Sequence, residues 1–317
     1  MSRNKTLVTV IAVCGLILLA AVALGFLGIS TYHYDNAEKY TAGETVITEA
    51  VRNLDVDWIS GKVTVATHHE NTVTLREISG RVIGEDLQLR WWLDGDTLRV
   101  KFAKSGYRHG GFFGLLSGQD KELILTLPAG LELNAVNIDT SSAAQDLNGL
   151  TAESLDLNAA SGSVTVQADR VGKVAADTAS GDVRIGVAAA DTIGVNTASG
   201  AVRIEAGQVG TLETGSASGA VHAEIGALNT GKIHTASGSV TVSAGQLNAL
   251  DIDTASGRVT AALPAVPGFT ANVQTASGSV NSAIDLRKSG DDYICGDGSA
   301  KVQIRTASGS VQLDPAQ

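Results

Sequence analysis

Cysteine is scarce in this chain of 317 residues, which contains only two. Cys14 lies in an apolar run near the N-terminus and Cys295 lies far along the chain, so no internal disulfide is expected. The sequence also lacks a Gly-x-Ser-x-Gly elbow and a phosphate-binding P-loop. Its six histidines do not form a metal-binding pattern, since the adjacent His68 and His69 would point to opposite faces of a predicted strand. These absences argue against a disulfide scaffold, the common hydrolase and nucleotide-binding classes, and a zinc site. We therefore predict no catalytic residue, no metal site and no cofactor.

Aromatic residues and positive charge are also in short supply. Aromatics make up 4% of the chain, and its net charge is −10 at pH 7. An acidic surface disfavours nucleic acid and anionic lipid headgroups as partners, so we predict no nucleic-acid partner. Without disulfides, the protein has to be held together by apolar burial and strand pairing.

Charge is absent altogether from one long run near the N-terminus, residues 6–29. About 20 apolar residues in a helix span a bilayer. Arg3 and Lys5 precede the run, which by the positive-inside rule places the N-terminus in the cytoplasm. The sequence predicts a single-pass protein of the cell membrane, anchored by this helix, with an extracytoplasmic C-terminal part.

A cleaved signal peptide is the alternative, because Ala21-Val22-Ala23 resembles a small-residue cleavage site. Apolar sequence continues beyond it to Ile29, which favours the uncleaved anchor. The predicted segments are a cytoplasmic tail (1–5), the transmembrane helix (6–29), a linker (30–45), an irregular β region that caps the repeats (46–135), and the repeats themselves (136–314).

The repeats carry the phrase Thr-Ala-Ser-Gly-x-Val. Ser-Gly pairs recur every 19 residues from Ser161 to Ser256, and looser copies follow at Ser277 and Ser308. A fixed period of this length indicates a solenoid. Apolar and polar residues alternate on both sides of each Ser-Gly pair, which predicts two strands of about five residues per repeat.

One repeat is too short to bury its own apolar face, so successive repeats are expected to stack. We predict an all-β fold, a single-strand parallel β-solenoid or β-helix with two short strands per 19-residue coil, preceded by one N-terminal transmembrane helix. The Gly of each Ser-Gly turn is expected to adopt a positive φ. The Thr two residues before each Ser is expected to stack on its equivalents.

One outward column of the repeats is the candidate ligand surface. Most residues three positions before each Ser are carboxylates or amides, which could bind Ca²⁺ or a glycan. The alternative is a solvated ladder beside a turn. The residues of this column are Asp139, Asn158, Asp177, Asn196 and Asp253.

A Gly-rich stretch, residues 105–118, is the candidate partner loop. Its apolar side chains either fold back onto the solenoid or form an exposed loop that contacts a membrane or a partner. They are Phe112, Phe113, Leu115 and Leu116.

The repeat resembles a bacterial family of β-strand repeats catalogued as putative adhesins, over about residues 46–314. The motifs that support the resemblance are Ile59–Val65, Leu125–Gly130 (Leu-Thr-Leu-Pro-Ala-Gly), the Thr-Ala-Ser-Gly array and Gly296–Val302. The resemblance implies a parallel β-solenoid at the cell envelope. It provides no catalytic residues to carry over.

These features favour a non-enzymatic, membrane-anchored module for adhesion or interaction at the cell envelope, with an envelope protein or polysaccharide as partner. Two alternatives are an accessory or sensory ectodomain in envelope stress regulation and a structural protein that stacks on itself. A carbohydrate lyase or hydrolase is the enzymatic rival. It would need acid and base residues clustered on one face, which the repeat columns do not show.

Overall fold

The protein is described by a computed structural model that covers residues 31–108 and 121–316. The predicted transmembrane helix (6–29) and the four apolar side chains of the candidate partner loop lie outside these residues. The helices in the described residues are two short 3-10 segments, Ala37–Lys39 and Glu85–Leu87, and neither could span a bilayer. The remaining elements are strands, so the prediction of an all-β fold is confirmed.

The strands are numbered in chain order. The first thirteen are β1 (Thr31–Tyr32), β2 (Thr41–Ala42), β3 (Thr45–Ile47), β4 (Asn53–Trp58), β5 (Gly61–His68), β6 (Val73–Ser79), β7 (Arg90–Asp94), β8 (Thr97–Lys101), β9 (Tyr107–Arg108), β10 (Lys121–Pro128), β11 (Glu132–Thr140), β12 (Ala144–Asn148) and β13 (Thr151–Ala159). The others are β14 (Val164–Thr178), β15 (Val183–Thr197), β16 (Val202–Ser216), β17 (Val221–Thr235), β18 (Val240–Thr254), β19 (Val259–Leu263), β20 (Gly268–Thr275), β21 (Val280–Ser282), β22 (Arg287–Ser289), β23 (Asp292–Gly296), β24 (Ala300–Thr306) and β25 (Val311–Pro315).

The chain divides into two compact units. The N-terminal unit runs to Val171 and includes Ala176–Gly181, and the C-terminal unit comprises Gly172–Ala175 and Asp182–Gln317. Each unit contains a parallel array of strands, as a solenoid requires.

In the C-terminal unit, β15, β16, β17 and β18 stack in parallel with a constant offset of one repeat. Val183 pairs with Val202, which pairs with Val221, which pairs with Val240. All four side chains are buried, because alternate residues of a strand point to the same face and this face is the inner one. The columns of apolar residues predicted from the sequence therefore form the core.

Each of these coils is one 15-residue strand, not the two short strands that the sequence predicted. Pairing continues through the predicted second turn, where Ala189 pairs with Gln208 and Ala190 with Val209. Because the coils repeat so regularly, equivalent turn residues also stack. Their backbone groups can then bond to the next coil, and the strand continues around the corner.

Glycine is required in the Ala-Ser-Gly turns because the backbones of neighbouring turns lie very close together. The prediction that these glycines adopt a positive φ was wrong. Among the described residues, no glycine of an Ala-Ser-Gly turn has a positive φ. A Cβ on Gly238 would lie 2.0 Å from the carbonyl oxygen of Gly219, and one on Gly257 would lie 1.9 Å from that of Gly238. The turns stack too tightly to admit any side chain at this position.

The threonines of the turns are buried and bind the backbone of their own turns. Thr235 Oγ1 accepts a hydrogen bond from the Gly238 N–H at 2.8 Å, and Thr306 Oγ1 accepts one from Gly309 at 2.9 Å. The hydroxyl thus replaces water as the partner of an N–H group that the turn leaves without a ladder bond.

The last coil of the chain is not the outermost coil of the C-terminal unit. β24 pairs in parallel with both β18 and β20, and β25 pairs in parallel with both β19 and β21. β23 pairs with β20 in the antiparallel sense and forms a hairpin with β22. The segment around residues 285–300 therefore supplies a strand that covers the array.

The N-terminal unit shows the same out-of-order stacking. β4 lies between β8 and β11, and β5 lies between β10 and β12, all in parallel pairs. β7 covers β8 and β6 covers β10, both in antiparallel pairs. The repeat-like stretch from Leu54 to Val65 thus belongs to the parallel array.

Candidate interaction surfaces

Asp139 and Asn158, two members of the predicted column, are neighbours in the N-terminal unit because β11 and β13 pair in register. The Asn158 side-chain amide donates hydrogen bonds to the carboxylates of Asp139 and Asp156, each at 3.0 Å. On its other side, Asp139 aligns with Asp57 of β4. A shallow groove of about 280 Å³ is lined by Asp57, Asp139, Asn158 and Asp177.

Basic residues of β8 balance the carboxylates of β4 at this groove. Lys101 Nζ lies 3.6 Å from the Asp57 carboxylate, and Arg99 pairs with Asp55 and, at 3.1 Å, with Asp94. Burial raises the pKa of Asp57, and the Lys101 ammonium opposes that rise. The column in this unit is a hydrogen-bonded and ion-paired ladder.

The C-terminal unit holds the other two predicted members, Asn196 and Asp253. The column runs from Asn196 through Gly215 and His234 to Asp253 on successive strands, so these two residues are not adjacent. Asp253, with 7% of its side chain exposed, lies 3.5 Å from His234 Nδ1. It also accepts hydrogen bonds from Arg305 of β24.

Arg305 of β24 binds the carboxylates at the end of this column. Its Nη2 donates to Asp253 at 2.7 Å and to both carboxylate oxygens of Asp251, at 2.9 and 3.1 Å. Burial would raise the pKa of Asp253, but the hydrogen bonds from Arg305 and the nearby His234 ring outweigh it and lower that pKa to about 2. The interaction with Asp253 in turn raises the pKa of His234. We call Asp251, Asp253, His234 and Arg305 the arginine cluster.

A second groove, of about 480 Å³, lies on the outer face of the C-terminal unit. Its lining includes Lys232, Asp251 and Lys301, and also Asn272, which donates to Asp292 at 2.8 Å. Charges of both signs and amide groups suit a ligand rich in hydrogen-bonding groups. No group of three or more His, Cys, Asp or Glu side chains in the described part of the chain is arranged to hold a metal ion.

Sequence reasoning missed an aromatic cluster in the N-terminal unit. Tyr32, Tyr34, Tyr40 and Trp92 form a chain of edge-to-face contacts, with successive ring centroids 5.5, 4.8 and 5.7 Å apart. Burial raises the pKa of Tyr40 to about 12 and also raises the pKa values of Tyr32 and Tyr34, so the hydroxyls stay protonated. Residues 31–45, expected to be a linker, thus pack against β7 and against the residues that follow β8. Three tyrosines within nine residues of a chain poor in aromatics were the available signal.

A buried ion pair between Lys121 and Glu77 was missed as well, since Lys121 reads as the polar start of a strand. Its ammonium donates to the Glu77 carboxylate and to the carbonyl oxygen of Phe102, and it lies 4.7 Å from the Trp58 ring centroid. Burial lowers the pKa of Lys121 to about 8, against the opposing effect of Glu77. The two side chains are 1% and 5% exposed, which marks them as structural groups.

Three solved structures align with most of the chain. They are a "putative cell adhesion protein" of Clostridium sporogenes (12% identity, 86% of this chain and 99% of that chain, TM-score 0.22), a "putative adhesin" of Bacteroides fragilis (12%, 86% and 97%, 0.39) and a "putative lipid binding protein" of Parabacteroides distasonis (14%, 87% and 96%, 0.42). No curated protein matches the sequence.

A sequence model of the Toastrack DUF4097 family matches residues 51–314. The match begins just before β4 and ends within β25, so it takes in the parallel arrays and the antiparallel strands that cover them. It confirms the resemblance to the family of β-strand repeats that the sequence motifs indicated. The chain belongs to the Toastrack DUF4097 family.

Proposed function

We propose that this protein is a membrane-anchored, extracytoplasmic module that binds an extended partner at the cell envelope and does not catalyse a reaction. The partner we favour is an envelope polysaccharide, followed by an envelope protein. The observation that carries the proposal is the in-register stacking of polar side chains on the outward face of each array, as for Asp139 and Asn158.

Parallel strands lie about 4.8 Å apart, so a column of stacked side chains presents hydrogen-bonding groups at that interval. An extended polymer also presents its polar groups at regular intervals, and it can follow a shallow groove along the array. The Asn158 amide is already held between Asp139 and Asp156. Less side-chain freedom is then lost when a partner binds, which favours affinity.

Self-stacking into a filament is less well supported. In the N-terminal unit, β6 and β7 already cover the outer strands of the array in antiparallel pairs. In the C-terminal unit, β23 does the same for β20. A second copy would have to displace these strands before it could extend either array by parallel pairing.

Affinity capture tests the proposal. The full chain in lipid nanodiscs is exposed to purified wall polysaccharide and to solubilised envelope proteins, with and without EDTA. We expect the polysaccharide to be retained, and we expect the Asp139→Asn, Asn158→Ala double variant to lose it. Lys232→Gln, in the second groove, is the matched control and keeps retention if the N-terminal groove is the site.

Other outcomes separate the alternatives. Retention of one membrane protein in place of polysaccharide favours the accessory or sensory ectodomain. If retention disappears when EDTA is added, the column needs a bound cation to hold its partner. Retention of neither partner, or polysaccharide turnover to smaller products, overturns the proposal.

A further inference from the structure

We propose that the aromatic cluster of Tyr32, Tyr34, Tyr40 and Trp92 rests in the headgroup region of the bilayer. The inference rests on the proposed membrane anchor. It goes further by assigning the face of the N-terminal unit that contacts lipid, which in turn determines the faces left for a partner.

The chain between the predicted anchor and the fold is very short. Ser30 alone separates the end of the uncharged run at Ile29 from Thr31, the first residue of β1. One residue spans at most about 3.6 Å, so β1 starts within about 7 Å of the hydrocarbon edge. Each headgroup layer is about 5–8 Å thick. Tyr32 therefore lies in or at the headgroup layer.

The second step is that β1 is held to the fold. Thr31 and Tyr32 pair with Arg108 and Tyr107 of β9. The Tyr32 hydroxyl donates to the carbonyl oxygen of Asp57 and accepts from the Phe102 N–H, both at 3.2 Å. A β1 strand fastened in this way cannot extend as a spacer, so the fold itself is brought to the lipid surface.

Contacts between the rings link the position of Trp92 to that of Tyr32. Tyr34 contacts both Tyr32 and Tyr40, and its hydroxyl donates to the carbonyl oxygen of Ala103 at 3.2 Å. Tyr40 contacts Trp92. The four rings thus form one continuous series of contacts that ends on β7, and the position of Tyr32 limits the positions of the other three.

The chemistry of the cluster matches the membrane–water interface. All four side chains are partly exposed, and Tyr and Trp favour this interface because each joins an apolar ring to a polar tip. Lys39 is exposed and places its ammonium 4.5 Å from the Trp92 ring centroid, where it can meet a lipid phosphate.

Nearby charges are nearly balanced. Arg99 is paired with Asp55 and Asp94, and Lys39 is accompanied by Asp35 and Glu38, which are also exposed. A zwitterionic headgroup fits this arrangement, and an anionic lipid is not needed, in agreement with the acidic net charge.

Quenching by brominated lipid tests the assignment. The full chain is reconstituted in zwitterionic liposomes whose phospholipids carry bromine close to the glycerol end of the acyl chain, and tryptophan emission is recorded. Trp58 is 0% exposed and serves as an internal reference that also reports folding. We expect quenching in the Trp91→Phe variant, where Trp92 remains. We expect most of that quenching to be lost in Trp92→Phe.

A reporter at Glu153, introduced as Glu153→Trp in the Trp91→Phe, Trp92→Phe background, is the comparison within the same unit. Glu153 is exposed on β13, and we expect no quenching there. Quenching at Glu153→Trp without quenching of Trp92 overturns the assignment, as does an anchored protein in which neither is quenched. Failure of the protein to float with the liposomes overturns the anchor and this inference together, and flotation without Trp92 quenching overturns this inference alone.

Discussion

The regular coils and the out-of-order coils share apolar columns but differ in their ion pairs, which are concentrated where out-of-order strands meet. Within β15 to β18 of the C-terminal unit, valine pairs with valine and glycine approaches glycine. Where strands distant in sequence pair, apolar residues also meet, and charges of opposite sign meet in addition. Arg305 of β24 binds Asp251 and Asp253 of β18 in the C-terminal unit. In the N-terminal unit, cross-strand ion pairs join β8 to β4, and β5 to β10 and β12.

The difference shows how stability and order are divided between the two kinds of contact. A shift by one repeat places Val on Val again, so the apolar columns cannot distinguish one coil from another. An ion pair can, because the wrong neighbour leaves a charge without its partner. The apolar columns and turn glycines supply most of the stability, and the ion pairs specify which strands become neighbours.

The largest expected effect comes from the out-of-order β10. Lys121→Met leaves the Glu77 carboxylate buried without its partner, which costs about 3–5 kcal/mol of unfolding free energy. The measurement is urea unfolding followed by tryptophan fluorescence. The Lys121→Met, Glu77→Leu double variant removes both charges and is expected to recover most of the loss. If the double variant is as unstable as the single one, the pair is not acting as an ion pair.

The next largest effect is in the regular coils. Gly238→Ala brings a methyl group against the Gly219 carbonyl oxygen, and we expect it to lower the unfolding free energy by about 3 kcal/mol. Gly194→Ala is the matched control, since its Cβ would lie 3.8 Å from the nearest atom. Equal effects of the two substitutions would show that the turns do not stack as closely as described.

Breaking the arginine cluster gives a smaller effect. Arg305→Met removes charge-assisted hydrogen bonds to the buried Asp253 carboxylate and should cost about 2–3 kcal/mol. Arg203→Ala, which breaks an exposed pair with Glu205 inside one strand, should cost less than about 0.5 kcal/mol. Urea midpoints measured at two salt concentrations distinguish the cases, since salt screens the exposed pair more strongly than the partly buried cluster.

The smallest effect is a pH dependence inside the arginine cluster. The pKa of His234 is raised on folding, so its contribution to stability is complete below the unfolded value of about 6.5. The contribution is lost as pH rises through the folded value. Asp253 acts in the opposite sense. Its lowered pKa stabilises the fold above about pH 4, and this is lost as pH falls towards about 2.

His234→Gln should therefore remove a decline in stability above about pH 6.5 and weaken the decline in acid, which Arg305 still supports because it also lowers the pKa of Asp253. Thermal unfolding measured from about pH 2 to pH 9 covers both the acid decline and the decline above pH 6.5. Asp253→Asn should remove both, because it takes away the partner of His234. A wild-type profile that stays flat above pH 6.5 would contradict the assignment.

The sequence predicted the parts of the fold that repeat. Valines such as Val202 and Val240 stand in buried columns because strict alternation leaves one face to bury. The stacking of Asp139 on Asn158 followed from the same period. The structure adds the hydrogen bonds of Asn158 to Asp139 and Asp156, and the assignment of this column as a ligand surface stays a prediction.

Contacts that do not repeat could not be predicted. Arg305 lies 52 residues from Asp253, and no local pattern relates them. The same holds for Lys121 and Glu77, 44 residues apart. Two strands of five residues were expected because the pattern breaks at the second turn, and only stacking restores its hydrogen bonds. The positive φ assigned to the turn glycines failed because the sequence does not show how close the next coil lies.

The position of β24 has a consequence for how the chain folds as it is synthesised. β20 pairs in parallel only with β24, as far as the described strands show, and β24 comes later in the chain. The segment from β20 to β23 cannot join β18 until Ala300–Thr306 has emerged and entered between them. The strand that enters this array last, β24, is therefore an inner strand with a neighbour on each side. A chain that stops before Ala300 leaves β18 as an open edge.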